Sequence, residues 1–222
     1  MKLENTTIYP FIKDCAELCE LYRFNRNAYI VQASNEAEDV WYLVNGRVKV
    51  EATTQSGKKL LVDIIDEDNY VGHLSNFRGR NFYCDSSALV SSALVRIPAR
   101  TFLSLLDTPA FSRHFYMKTS ARLYDMYKKE LMKGLFTQRQ QFAFYVIEKA
   151  HHDGICKLGS IYHICEYLKI SRRNLYNLLA WFAKGGIMER METGDIQVLD
   201  MEALQEAARP VSEFWYNKIT QK

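Results

Sequence analysis

The chain has 222 residues, of which 48% are hydrophobic and 25% are charged, so it is long enough for two modest cores or one large one. No apolar run approaches the roughly 20 residues needed to cross a bilayer, and the opening MKLENTTIYPFIKD is too polar for a secretory signal. Five cysteines, an odd number without a regular framework, indicate reduced thiols rather than disulfides. We therefore expect a cytoplasmic protein with no membrane partner.

The positive charge is unevenly distributed along the chain. The formal net charge is only +3, but residues 111–150 carry eight Lys or Arg against three Asp or Glu. Residues 157–190 carry six against two. A local excess of this kind is what binding to nucleic-acid phosphates requires.

The first hundred residues contain short runs rich in Val, Ile, Leu and aromatic residues, separated by turn signals such as Asn45-Gly46 and Ser56-Gly57. The predicted strands cover 29–31, 40–44, 47–52, 59–65, 88–90 and 93–97. Closely spaced short strands indicate an antiparallel sandwich or roll. Since there is no Gly-rich phosphate loop, nucleophile elbow or zinc-ligand cluster, we predict neither a catalytic nor a metal site.

A long helix is predicted from Ala110 to about Lys133, with a break at Gly134. Within it the residues at four- and three-residue steps give heptad spacing; they are Met117, Ala121, Tyr124, Lys128 and Leu131. This stripe needs a partner, which is either the barrel of the same chain or a second copy. We favour a parallel pair of identical helices.

A further helix is predicted from Thr137 to Ala150, and two short helices follow between Ile155 and Arg190. The first has one apolar face, made of Ile161, Ile164, Cys165 and Leu168. Ser171 is placed to cap the second helix. That helix should bury Leu175, Leu178, Leu179 and Phe182. Residues 187–199, around the turn Thr193-Gly194-Asp195, are predicted to form two strands of a small wing.

The opposite face of the second short helix is polar, and its predicted outward residues are Arg172, Arg173, Tyr176 and Asn177. This is the sequence pattern of a helix-turn-helix, whose second helix enters the DNA major groove. Arg can donate two hydrogen bonds to guanine, and Asn can pair bidentately with adenine. Lys169 and Lys184 are better placed for phosphates. The alternative is an ordinary helical hairpin with a solvated basic face.

The order of β-roll, long helix and winged helix-turn-helix resembles the CRP/FNR superfamily of transcription regulators from about Tyr9 to Ala207. The resemblance is carried by three segments, WYLVNGRVKV at 41–50, DEDNYVGHLSNF at 66–77 and ISRRNLYNLLAWFAKGGIM at 170–188. The second of these is similar to the loop before the family's effector-binding cassette. Within the superfamily, YIVQ at 29–32 and the helix-turn-helix are most similar to YeiL-type regulators.

The resemblance implies an α+β fold with an N-terminal double-stranded β-helix (a cyclic-nucleotide-binding-like jelly roll), a long dimerisation helix and a C-terminal winged helix-turn-helix. The implied domains are an effector-sensing roll at 1–109, a dimerisation helix at 110–136 and a DNA-binding domain at 137–222. The implied protein is a homodimeric, non-enzymatic regulator that binds a two-fold symmetric operator, with RNA polymerase as a candidate further partner. Family members read bases one, two and six residues after the position of Ser171, which here gives Arg172, Arg173 and Asn177. The second position is commonly acidic in the family, so the operator should differ from the familiar ones.

The effector site departs from the family pattern. Cyclic-nucleotide binders use a Gly-Glu-Leu step, whereas this chain has Gly72-His73-Leu74. Their later phosphate-binding Arg has no counterpart in residues 82–86, where Asp85 occupies the region of the anion. An unpaired carboxylate there would repel a phosphate, so we do not expect cyclic AMP as effector. The candidate pocket residues are Gly72, His73, Leu74, Tyr83, Cys84 and Ser86, and the effector itself stays unassigned.

Three other functions have some support in the residue pattern. An iron–sulfur cluster usually needs four thiolates, and only Cys15, Cys19 and Cys84 lie outside the C-terminal domain. A cupin-like metalloenzyme needs several histidines in the barrel, and that region contains only His73. We expect neither. The remaining alternative is a β-roll adaptor or ligand-binding dimer that no longer reads DNA.

Overall fold

The structure is a computed structural model that describes residues 2–33, 39–78, 84–158 and 161–216. The chain divides into two compact units, Met1–Leu123 and Tyr124–Lys222, and the division falls inside a long helix. None of the described helices combines the length and the apolarity of a bilayer-crossing segment.

The first unit is built on a β-roll of two antiparallel sheets. Its strands are β1 Glu20–Phe24, β2 Tyr29–Val31, β3 Asp39–Asn45, β4 Arg47–Thr53, β5 Lys59–Asp66, β6 Asn69–Val71, β7 Cys84–Ala88 and β8 Ser92–Pro98. One sheet has the strand order β1-β8-β3-β6, and the other has β2-β7-β4-β5. Gly46 makes the tight β3–β4 connection with φ 99°, where a Cβ would lie 2.4 Å from the Ser92 hydroxyl oxygen. Only glycine fits that turn.

Alternate residues of the strands supply two hydrophobic clusters. The cluster between the sheets contains Leu43, Val48, Val50, Ile65, Val71, Cys84 and Leu94. Residues of opposite parity, such as Tyr42 and Val95, face the other way and pack with the helices. This period-two alternation allows β3, β6 and β8 each to contribute buried residues to both clusters.

Helices cover the outer face of the first sheet. They are α1 Tyr9–Ile12, α2 His73–Arg78, α3 Ala99–Leu105 and the first half of α4 Pro109–Leu135. Phe102, Phe111 and Phe115 from α3 and α4 are almost fully buried in this cluster. In addition, the Arg122 guanidinium donates to the Asp63 carboxylate at 2.8 Å and to the Tyr70 carbonyl oxygen at 3.1 Å. Aromatic packing and the ion pair of Arg122 with Asp63 therefore attach α4 to the roll.

The second unit continues from α4 into a helical domain with a small sheet. Its elements are α5 Gln138–Lys149, β9 Ile155–Cys156, α6 Ile161–Leu168, α7 Arg172–Lys184, β10 Met188–Arg190, β11 Ile196–Val198 and α8 Met201–Tyr216. Helix α5 starts with a capping box, in which Thr137 and Gln140 exchange side-chain and backbone hydrogen bonds. A single core of helix and wing residues, including Phe142, Ile164 and Phe182, holds the unit together.

The predicted fold class is confirmed: a β-roll, a long helix and a winged helix-turn-helix follow one another in an α+β chain. The predicted break at Gly134 is wrong, because α4 continues through it to Leu135. One exposed glycine costs a helix only about 1 kcal/mol, and a new helix instead begins at the capping box of Thr137.

Several strand predictions also need correction. The strand expected at 88–90 lies at Cys84–Ala88, and the segment read as a loop at 66–77 contains β6 and α2. Strands β1 and β9 and helix α8 were not predicted at all. The sequence of β7, CDSSA, has no β-branched or aromatic residue, so its strand is stabilised by pairing with β4 rather than by local preference.

Candidate nucleic-acid interface

The turn between α6 and α7 is fixed by the backbone and by one cap. Lys169 has φ 53°, in the left-handed region, and the Ile170 N–H donates to the Cys165 carbonyl oxygen at 2.9 Å. The Ser171 hydroxyl oxygen then accepts from the Asn174 N–H at 3.1 Å, as predicted for an N-cap. The turn thus sets the direction in which α7 leaves α6.

Helix α7 has one buried and one exposed face. Leu175, Leu178, Leu179 and Phe182 are buried, as predicted from their spacing. Arg172, Arg173, Tyr176 and Asn177 are all exposed. The structure therefore brings together, on one helix surface, the three side chains predicted for base contact, Arg172, Arg173 and Asn177, with Tyr176 beside them.

The end of α7 leads directly into the wing. Gly185 caps the helix and Gly186 has φ 68°, after which the Ile187 N–H donates to the Phe182 carbonyl oxygen at 3.0 Å. Strands β10 and β11 pair from Met188 with Val198 to Arg190 with Ile196. Gly194, with φ 90°, forms the predicted turn. The pairing of β11 with β9 makes this a three-stranded wing sheet, and the third strand was missed because it has only two residues.

Two arginines outside α7 stack on its aromatic side chains. The Arg190 guanidinium in the wing lies 5.7 Å from the Tyr176 ring centroid, and that of Arg139 in α5 lies 4.4 Å from the Trp181 ring centroid. Both distances are within the range of cation–π attraction. No motif in the sequence points to Arg139, Trp181 or Arg190; the excess of positive charge over 111–150 is the only signal for Arg139.

The two lysines predicted for phosphates differ in exposure. Lys184 is exposed at the last residue of α7, where a cation is also favoured by the helix dipole. Lys169 is half-buried and lies in the turn before the helix. Lys184 is thus the more accessible of the two.

The candidate effector residues fall into two environments. Gly72, with φ 82°, leads into α2, and a Cβ there would lie 3.2 Å from the Asp39 carbonyl oxygen. Leu74 is exposed, whereas Cys84 and Ser86 are buried on β7. Cys84 belongs to the cluster between the sheets. Tyr83 lies outside the described residues.

His73 is turned toward the long helix. Its ring meets Phe115 edge to face at 5.4 Å between centroids, and its side chain is buried. Within the described residues, its Nδ1 has no hydrogen-bond partner. Burial, together with the nearby charge of Arg122, lowers the pKa of His73 from 6.5 to about 4. The imidazole is therefore neutral near pH 7, and it lies by Phe115 rather than in the cluster that contains Cys84.

Asp85 and the cysteines are the other candidate ligand groups raised by the sequence. One carboxylate oxygen of Asp85 accepts from the Ala33 N–H at 2.9 Å. None of the five cysteines forms a disulfide, and burial raises the pKa of Cys19 to about 12 and that of Cys156 to about 11. No group of three or more potential metal ligands occurs in the part of the chain that the structure describes.

Four of the five heptad residues of α4 are exposed in the single chain. The exposed fractions are 68% for Met117, 62% for Tyr124 and 47% for Leu131, and Ala121 is exposed as well. Lys128 contacts the ring of Trp215 at 4.8 Å from its centroid, so it belongs to the second unit's packing. The apolar members of the stripe are available to another surface.

Comparisons of the sequence with known proteins give two matches. Residues 21–108 match the model of the cyclic nucleotide-binding domain. Regulatory protein YeiL of Escherichia coli O157:H7 is 24% identical over 190 residues, which cover 83% of this chain and 84% of that protein.

Solved structures resemble most of the chain. A CooA mutant from Carboxydothermus hydrogenoformans aligns with a TM-score of 0.69 at 19% identity, covering 93% of this chain and 98% of that one. A CRP-family regulator from Thermus thermophilus gives 0.63 at 16%, covering 85% and 96%. FixK2 from Bradyrhizobium japonicum also aligns with a TM-score of 0.63 at 16% identity, covering 85% of this chain and 96% of that one.

The chain has the fold of the CRP/FNR superfamily. The resemblance inferred from sequence is thereby confirmed, including its similarity to YeiL. At these identities the solved CRP/FNR structures establish the fold, and residue roles have to be argued from this chain's own geometry.

Proposed function

We propose that the protein is a homodimeric, sequence-specific DNA-binding transcription regulator of the CRP/FNR type that works in the cytoplasm and is not an enzyme. The observation that carries the proposal is the exposed polar face of α7. Its opposite face is buried against α5, α6 and the wing, so the helix is rigidly held with Arg172, Arg173 and Asn177 outward. Residues so placed at the start of a recognition helix are suited to base edges.

The working parts that we propose are the roll at 1–109, the dimerisation helix at 110–136 and the DNA-binding domain at 137–222. Met117, Ala121, Tyr124 and Leu131 are proposed as the seam between two copies, supported by their heptad spacing and exposure. A dimer of this kind would bind a two-fold symmetric operator with half-sites about one DNA turn, roughly 34 Å, apart. RNA polymerase is a further candidate partner.

The experiment is to select an operator from random duplexes and to measure variants on the operator and on scrambled DNA at two salt concentrations. Arg172→Ala and Arg173→Ala should each cost about 1–3 kcal/mol per half-site on the operator and relax specificity. Lys184→Ala should instead weaken both duplexes equally and lower the salt dependence by about one unit per half-site.

Two outcomes would contradict the proposal. Equal losses on operator and scrambled DNA for both arginine variants would assign these residues to phosphates. If no duplex is enriched, with or without cell extract, the regulator function itself is wrong.

A further inference from the structure

A surface cleft lies between the start of α5 and the middle of α7. Its volume is about 500 Å³, and its lining residues are Thr137, Gln138, Arg139, Asn174, Asn177, Leu178 and Trp181. Asn177 is one of the proposed base-reading residues. The cleft therefore adjoins the surface of α7 that we propose faces the DNA groove.

One cation dominates the cleft. The Arg139 side chain is exposed, and its guanidinium carbon lies 4.4 Å from the centroid of the Trp181 ring. Within the described ranges no carboxylate pairs with Arg139, and no lining residue of the cleft is acidic. A guanidinium stacked on an indole keeps the N–H groups of its edge available, and their fork geometry matches two oxygens of a phosphate.

The other polar groups of the cleft are partly committed. Thr137 and Gln140 already satisfy each other's hydrogen-bonding groups through the capping box, so the N-terminus of α5 is not counted as a ligand of the site. The Asn174 side-chain amide donates to the Gln138 side-chain oxygen at 3.4 Å, a long contact that an incoming acceptor could replace. The side chains of Arg139 and Asn174 thus offer donors on both sides of the cleft.

We propose that this cleft holds a phosphate of the DNA backbone beside the half-site, with Arg139 as the contacting residue and Trp181 as the positioning residue. The proposal rests on the proposed function, because it needs α7 to lie against DNA. Stacking on Trp181 restricts the guanidinium before DNA arrives, which reduces the conformational entropy lost on binding.

The first test is the salt dependence of DNA binding by the full-length protein. Each phosphate contact accounts for roughly a 3.5-fold loss of affinity when salt is raised fourfold. A dimer carrying Arg139→Ala has two contacts fewer. Its fold-loss of affinity over that salt range should therefore be roughly ten times smaller than that of the wild type. The loss of affinity at low salt should be the same on operator and scrambled duplexes. The matched control is Arg209→Ala, which removes an exposed arginine that pairs with Glu206 on α8 and should leave the salt dependence unchanged.

The second test separates positioning from packing. Trp181→Leu should weaken binding to both duplexes, and Trp181→Phe should restore most of the affinity because it keeps an aromatic face. In the Arg139→Ala background, Trp181→Leu should have no further effect, since there is no guanidinium left to hold. Thermal unfolding of each variant reports whether the second unit stays folded.

Failure of the phosphate site is distinguishable from failure of the regulator function. If the wild type binds DNA with strong salt dependence but Arg139→Ala does not alter it, the cleft is not a phosphate site. If Arg139→Ala weakens only the operator, the residue reads bases instead. An undiminished effect of Trp181→Leu in the Arg139→Ala background would refute the positioning role. If the wild type enriches no duplex, the regulator function fails first.

Discussion

Two buried polar residues of the roll differ greatly in how far their hydrogen-bonding groups find partners. Asp63 accepts hydrogen bonds from the Arg122 guanidinium at 2.8 Å and from the Ile64 N–H at 2.9 Å. His73, buried to a similar extent, has a ring nitrogen without a partner among the described residues. A buried imidazole of this kind is stable only while it is neutral, because charging it would place an unpaired cation next to Arg122.

The pKa of His73 predicts a specific dependence of stability on pH. Because the folded-state pKa is about 4 and the ordinary value is 6.5, the unfolded state binds more protons between these two pH values. The contribution of His73 to the free energy of unfolding is fully present above pH 6.5. It is lost as the pH falls toward 4, by up to about 3 kcal/mol. Denaturant unfolding at several pH values measures it.

The matched variant is His73→Leu, which cannot titrate. Its free energy of unfolding should depend less on pH than that of the wild type between pH 4 and 6.5, whatever its absolute stability. His114, whose pKa is also lowered by burial, stays in both proteins and cancels in the comparison. If the free energies of unfolding of the two proteins change with pH in the same way, His73 is not a buried, neutral imidazole in the folded protein.

Among the elements, those with local signals were predicted well from the sequence. Helix α7 has a Ser cap, regular apolar spacing and two glycines at its end, so its buried and exposed faces both follow from adjacent residues. Strands β6 and β7 lack such signals, because three residues or a run of small polar residues form a strand only through their neighbours. Cation–π pairs such as that of Arg139 with Trp181 join residues far apart in sequence and could not be anticipated.

Helix α4 has a testable role in assembly. Leu131→Glu would place two carboxylates in the proposed seam and should weaken dimerisation by several kcal/mol, because they would have to be desolvated without partners. Leu131→Met, which keeps apolar surface at the same position, is the control and should remain dimeric. Sedimentation at low micromolar concentration measures both. A fully dimeric Leu131→Glu variant would locate the seam elsewhere.

At the scale of the whole molecule, the roll has the fold of a nucleotide-binding domain without the expected nucleotide-binding residues. The position of the family's carboxylate is occupied by His73, which faces Phe115. Asp85 is engaged with the Ala33 N–H at 2.9 Å. We therefore expect the roll to bind a ligand other than the cyclic nucleotide that is usual for its domain type.

Cyclic AMP should accordingly bind no better than millimolar and should leave operator affinity unchanged. Calorimetry with the full-length protein tests the first point, with 5′-AMP as the control ligand. Operator titrations with and without cyclic AMP test the second. Micromolar affinity for cyclic AMP, not shared by 5′-AMP, would show that the roll recognises the cyclic phosphate by residues other than those of the family pattern.

The division of the chain inside α4 has a consequence for its evolution. Because the helix runs without interruption from Pro109 to Leu135, Leu123 and Tyr124 are joined by helical backbone and not by a loop. One residue inserted there would turn all later helical residues by about 100° and advance them by about 1.5 Å. Seven inserted residues would nearly restore the angular phase. We therefore expect homologous chains to tolerate substitutions in this helix far more readily than the insertion or deletion of a single residue.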